Sequence, residues 1–147
     1  MTEAAYEAKY GKGPHLTVDA VVQNGNREIL LVKRRDNGLW ALPGGFLDPE
    51  ETIVEAATRE TMEEAGIDLH NAAVGRREVF DAIDRDPRSR IVTTAVHFVR
   101  VDLPTPVAGD DAADAAFFPP EHVAELDASG LIYADHAEII AALTQDA

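Results

Sequence analysis

Three glutamates crowd into the last two turns of one short helix, and that crowding limits what can surround it. The run Thr52-Ile-Val-Glu-Ala-Ala-Thr-Arg-Glu60-Thr-Met-Glu-Glu-Ala-Gly66 carries both ends of the helix in its own letters. Thr52 followed by Glu55 is a capping box, in which hydroxyl and carboxylate satisfy each other's backbone N–H groups. Ile53, Ala56 and Ala57 give an apolar stripe, and Gly66 gives the left-handed stop. At 3.6 residues per turn, Glu60 shares a face with Glu63 and Glu64. Like charges at these spacings each cost roughly 0.2–0.5 kcal/mol in an isolated helix. The macrodipole's negative end adds roughly 0.3–1 kcal/mol per acid. Arg59, four residues after Glu55 and four before Glu63, offsets part of this. Such a helix either presents a solvated acidic face or gathers its carboxylates around a cation.

Composition narrows the setting. The 147 residues are 46% hydrophobic and 27% charged, enough for one core and one domain. The net charge of −14 argues against broad binding of nucleic-acid phosphates. With no cysteine, disulfides, thiolate zinc sites, iron–sulfur clusters and a thiol nucleophile are excluded. No apolar stretch approaches the roughly 20 residues that span a bilayer. The opening Met1-Thr-Glu-Ala-Ala-Tyr-Glu lacks the pattern of a signal peptide, so a cytoplasmic domain without membrane partners is expected. Only three cations are lysine (Lys9, Lys12, Lys33) and ten are arginine. A GC-rich genome and adaptation to high salt both account for this balance.

Residues 1–14, with Gly11-Lys-Gly-Pro14, read as a flexible N-terminal arm, and 15–147 as a single domain. Leu16–Val22 and Glu28–Lys33 are β-rich runs around Gln23-Asn-Gly-Asn26, where a positive φ at Asn-Gly is expected to reverse the chain. Further strands are predicted at 74–83, 91–101 and 115–118, with Pro119-Pro120 ending the last. A second amphipathic helix is predicted over 136–143, with Ile139, Ile140 and Leu143 inward. Strands and helices mix without regular βαβ alternation, which indicates an α/β (α+β) class with helices covering a mixed sheet.

Ahead of the acidic helix, Gly44-Gly45 lets backbone approach a ligand closely. A loop carbonyl plus two or three carboxylates makes an oxygen-only site suited to Mg²⁺ or Mn²⁺. A cation would also reverse the local field for a phosphate ester approaching an acidic protein. Read from Gly45, the chain runs five residues to Glu51, seven more to Arg59, then Glu60-Thr-Met-Glu63-Glu64-Ala-Gly66-Ile67. This stretch, 45–67, resembles the signature of the Nudix hydrolases, which cleave nucleoside diphosphates linked to another moiety. Thr61 departs from it, standing where the family usually has an aliphatic residue, and a small packing change is expected there. The resemblance implies an α/β/α sandwich with a mixed sheet. It also implies Glu60, Glu63 and Glu64 as catalytic metal ligands with the Gly44 carbonyl. Gly45, Glu51, Arg59 and Gly66 would support the box, Glu51 pairing with Arg59. A further carboxylate, acting as base or ligand, would come from a distant loop, with Asp110, Asp111, Asp114 and Glu121 as candidates.

For the substrate, Lys33-Arg34-Arg35, Arg76-Arg77 and the turn Arg85-Asp-Pro-Arg88-Ser-Arg90 offer guanidinium groups for phosphate contact or base stacking. Arg34, Phe46, Arg85 and Arg88 are the substrate-binding candidates. Residues 79–92 and Tyr133-Ala-Asp-His-Ala-Glu-Ile139 resemble segments of ADP-ribose pyrophosphatases, Ser89 replacing a more usual glycine. Hydrolysis of ADP-ribose to AMP and ribose 5-phosphate is the leading expectation. NADH, nucleotide sugars, modified nucleoside triphosphates and a non-catalytic ADP-ribose sensor are the alternatives. A homodimer is among the assemblies the resemblance allows. Trp40 and Phe46 flank the glycines, and packing is the favoured role for both. The five histidines (15, 70, 97, 122, 136) have no paired metal-binding spacing; His97 is read as structural, and the others are given no role.

Overall fold

The structure, a computed structural model, describes residues 2–109 and 111–145. In chain order the elements are α1 (Glu3–Tyr10), β1 (His15–Gln23), β2 (Ile29–Arg34), β3 (Trp40–Ala41), β4 (Gly44–Phe46) and α2 (Ile53–Ala65). They continue as β5 (Ala73–Phe80), β6 (Ile91–Val99), β7 (Ala112–Phe118), α3 (Pro120–Ala128) and α4 (His136–Thr144). The sheet runs β3-β2-β1-β6-β5, with β4 on β1 and β7 on β2. β1 and β6 pair in parallel from His15↔Ile91 to Gln23↔Val99, and the other pairings are antiparallel, so the sheet is mixed.

Alternation along the central strands builds a core on each face. Val18, Ala20, Val22, Val96 and Phe98 point to α2, meeting its buried Ala56, Ala57 and Ala65. Val21, Leu31 and Ala95 point the other way, against Ile139, Ile140 and Leu143 of α4 and Val123 of α3. Period two in the strands and a narrow alanine face on α2 let the helix lie close over β1. Thr61 is fully buried there and its hydroxyl donates to the Ala57 carbonyl at 2.7 Å, which satisfies it without an outside partner.

Three expectations change. Residues 3–10 form a helix capped by Thr2, and Tyr6 is only 4% exposed, where an open arm was expected; one buried aromatic ring is enough to seat it. At the β1–β2 turn the positive φ falls on Arg27 and not on the Asn-Gly pair. The Asn24 side chain makes the turn by accepting from the Asn26 and Glu28 N–H groups, while Gly25 lies close against Val101. Pro119-Pro120 ends β7 but also begins α3, a proline in the first helical turn needing no N–H partner. Among the described residues no helix is long and apolar enough to cross a membrane.

Candidate active site

α2 carries out its sequence-encoded plan: Thr52 and Glu55 form the reciprocal capping box, and Gly66 closes the helix at φ 65°. The helix end lies against β4, which β1 holds in register through Thr17↔Phe46, Val18↔Gly45 and Asp19↔Gly44. The Gly44 N–H donates to Glu64 Oε2 at 3.1 Å. A Cβ at Gly45 would come within 2.5 Å of Glu60 Oε1, and one at Gly44 would run into the Val18 carbonyl. Two glycines are therefore the condition for laying backbone directly on the carboxylates.

Arg59 organises the outer side. Its Nε donates to Glu51 Oε2 at 3.0 Å and its Nη2 to Glu51 Oε1, while Nη2 also reaches the Phe46 carbonyl at 3.2 Å. Nη1 donates to Glu60 Oε1 at 2.8 Å and to Glu63 Oε2 at 3.3 Å. Glu51 also accepts the Asp48 N–H, so one carboxylate–guanidinium pair ties the loop after β4 to the helix. Burial pushes the Glu60 carboxyl up, against the pull of Arg59. Burial, then the charges of Glu60, Asp19 and Glu63, push Glu64 up to about 8, with the Gly44 N–H opposing.

Among the described residues, no three His, Cys, Asp or Glu side chains are already gathered as a metal-ligand cluster. Glu60 and Glu63 are turned to Arg59, and Glu64 to Gly44. The donor chemistry nonetheless fits a hard divalent cation: carboxylates on consecutive turns, a glycine backbone against them, and a Glu64 whose mutual repulsion with Glu60 a cation would relieve.

Gly44, Gly45 and Glu64 open into a cleft whose other wall holds Arg34, Arg88, Tyr6 and Tyr133. Tyr133 is delivered by a short run alongside β3, with Trp40 N–H bonded to the Leu131 carbonyl and Tyr133 N–H to the Trp40 carbonyl. Arg34 lies 4.1 Å over the Tyr133 ring, and Arg88 lies 5.6 Å from Tyr133 and 5.8 Å from Tyr6. Asp86 fixes this wall by accepting from Arg88 Nε and Nη2 at 3.0 and 2.8 Å and from the Tyr133 hydroxyl at 3.0 Å. Phe46 lines the cleft and joins Tyr6, Tyr10 and His15 in an aromatic cluster. Trp40 packs edge-on against Phe118 at 4.8 Å.

Arg85 needs a different account from the substrate-binding cation the sequence suggested. It is buried, makes a bidentate pair with Asp135 at 2.9 and 2.8 Å, and gives its remaining arm to the Ile91 carbonyl. It borders the cleft, but its donors are spent on holding the 81–90 loop to the start of α4.

The loop acids separate. Asp111 lines a second hollow shared with Glu64, Lys33 and Arg35. Asp114 stands on β7 opposite Lys33 with its carboxylate on the Ala115 N–H, and Glu121 is exposed in the first turn of α3. Asp110 lies outside the described residues. His97 bonds Gln23 at 2.6 Å, as a structural histidine would. Sequence reasoning missed Asp19, Tyr6, Asp86 and His136 in the cleft lining. Asp19 had left one signal, the single acid inside the apolar run Leu16–Val22.

Comparison with known proteins agrees with this geometry. A family model described as NUDIX domain matches residues 13–143. An ADP-ribose pyrophosphatase of Methanocaldococcus jannaschii is 40% identical over 71% of this chain and 62% of its own. Phosphatase NudJ of Escherichia coli (strain K12) is 40% identical over 54% of this chain and 52% of its own. The chain thus spans less than two thirds of either relative. The crystal structure of a bifunctional NMN adenylyltransferase/ADP ribose pyrophosphatase from Francisella tularensis, with AMP and a Mn ion, superposes with a TM-score of 0.84. That match is at 33% identity and covers 96% of this chain and 45% of the other. With the family model covering nearly all of it, the acidic-helix sequence in place and the mixed sheet between helices, this chain belongs to the Nudix family.

Proposed function

We propose that the chain hydrolyses the pyrophosphate bond of a nucleoside diphosphate linked to another moiety, with ADP-ribose as substrate and AMP and ribose 5-phosphate as products. The observation that carries this reading is a single cleft lined both by the glycine strand with Glu64 and by Arg34, Arg88 and Tyr133. The 40% identity to an ADP-ribose pyrophosphatase supports the choice of substrate.

Glu60, Glu63, Glu64 and the Gly44 carbonyl would hold Mg²⁺ or Mn²⁺. When bound, such an ion neutralises pyrophosphate charge and favours deprotonation of an attacking water. Water oxygen bonds to one phosphorus, the bridging P–O bond breaks, and the bridging oxygen leaves with the other phosphate. Arg59 holds Glu60 and Glu63 at the helix end while Glu51 anchors Arg59 to the loop. Tyr133 lines the cleft with its hydroxyl on Asp86 and Arg34 over its ring, and Arg34 and Arg88, paired with Asp36 and Asp86 but still partly exposed, offer cations for the diphosphate and its appended sugar. The similarity to phosphatase NudJ favours a second reading, in which the scissile phosphate belongs to a different nucleotide.

The test is AMP release from ADP-ribose beside NADH, a nucleotide sugar and a modified nucleoside triphosphate, each with Mg²⁺, with Mn²⁺ and with EDTA. ADP-ribose should give the highest kcat/KM and EDTA should abolish it. Preference for another member of the panel would establish the second reading. Tight ADP-ribose binding with no turnover under either metal would overturn hydrolysis and leave a sensor.

A further inference from the structure

The sheet face opposite the glutamates carries a buried polar chain for which the reaction has so far found no use. Thr93 Oγ1 donates to Asp19 Oδ2 at 2.6 Å, and Asp19 Oδ1 lies 3.8 Å from His136 Nε2. His136 Nδ1 accepts the Leu42 N–H at 3.0 Å. A ring nitrogen that accepts carries no proton, so neutral His136 keeps its proton on Nε2, the nitrogen turned toward Asp19. The ring is 5% exposed, and Tyr133 braces it edge-on at 5.4 Å. Its neighbour Asp135 is clamped by Arg85. The imidazole is therefore a fixed point and not a swinging side chain.

Leu42 is the residue through which this fixed point reaches the glycine strand. Pro43 has no N–H, so the donor just ahead of Gly44 is that of Leu42. Its carbonyl neighbour at Pro43 accepts from Ala20 N–H at 2.8 Å, which ties the same segment to β1. Gly44 then meets Glu64 from one side and Asp19 from the other, with no room for a Cβ against either Asp19 or, at Gly45, Glu60. Even a single added methyl at Gly44 or Gly45 would force the strand and its neighbours apart.

We propose that His136 is a positioning residue: by holding Leu42 it sets the height of the Gly44–Gly45 strand over Glu60 and Glu64. The inference rests on the reading of these glutamates as the site of pyrophosphate hydrolysis.

Three variants of the full chain test it. In His136→Asn, the amide oxygen reaches the place of Nδ1 and accepts from Leu42. In His136→Gln, the amide reaches the place of Nε2 instead, and His136→Phe offers neither. The Asn variant should keep most of the turnover, while Gln and Phe lose roughly 10–100-fold in kcat, the range for outer supports of a metal site. Any change in KM for ADP-ribose should be alike in the three variants, since all of them alter the cleft-lining ring packed on Tyr133, so the Asn–Gln difference is read in kcat. Hydrogen exchange at the Leu42 amide should be slow in the parent and in the Asn variant and fast in the Gln variant.

Parental kcat in folded Gln and Phe variants, or an Asn variant as impaired as Phe, would overturn the proposal. Should Phe fail to fold, the Asn–Gln pair decides. If the parent hydrolyses no nucleotide in the panel while Leu42 exchange still separates Asn from Gln, the reaction is wrong and the positioning stands. Hydrolysis without that separation sinks the positioning alone.

Discussion

The surroundings of Glu64 favour its protonated form over a pH range in which a solvent-exposed glutamate is ionised. Its carboxyl is pushed up to about 8 from 4.5, first by burial and then by Glu60, Asp19 and Glu63. Between those two values the folded chain keeps a proton the unfolded chain has lost. The metal-free protein therefore loses stability as pH rises through that window. Glu64→Gln removes the slope. In EDTA the variant should melt with the parent near pH 4.5 and above it at pH 8, by on the order of 10 °C. With Mg²⁺ its kcat should fall by at least about 10²-fold, the scale of losing one preorganised charged group. Melts and turnover on the same preparations check both halves, and a parental kcat would remove Glu64 from the proposed ligands. The glutamates were legible because the signature is local, whereas Asp19 and His136 sit on different strands and helices and share no spacing. Only the fold brings Leu42, between two strands, onto an imidazole at the start of α4.

At the scale of elements, legibility follows where the instructions lie. α2 was readable to the residue because its cap, apolar stripe and stop are all inside it. α1 was not, since its seat is supplied not only by nearby His15 but by Phe46 and Arg88, far along the chain. α3 was hidden by reading Pro119-Pro120 only as an ending. The consequence for α1 is functional. Tyr6 is its one buried residue, it lines the cleft, and Arg88 stacks against it. Tyr6→Ala should unseat the helix and raise KM for ADP-ribose by roughly 3–10-fold, equivalent to losing about 1 kcal/mol of aromatic contact, with kcat nearly kept. Steady-state kinetics decide this, and an unchanged KM would return α1 to a purely structural role.

For the whole molecule, the class was legible from the mixture of strands and helices, but the central parallel pair β1–β6 was not. Nothing near residue 15 announces residue 91 as its partner, since such pairing is a property of topology. Net charge acts at this scale as well. With −14 spread over 147 residues, self-repulsion opposes compaction, and screening relieves it. Raising KCl from about 0.05 to 1 M, which shortens the screening length from over 10 Å to about 3 Å, should raise Tm. Melts insensitive to salt would show that the acidic surface exerts little net strain, leaving genome composition as its explanation.

The parallel pair has one more effect, on the order in which the protein becomes itself. The glycine strand and α2 both lie inside the excursion that the joining of His15 to Ile91 closes. A growing polypeptide halted before β6 would already contain every letter of the glutamate signature, yet β1 would lack its central neighbour and the carboxylates their floor. Synthesis of the signature and birth of the site are separate events, and the second waits on a strand with no acidic residue in it.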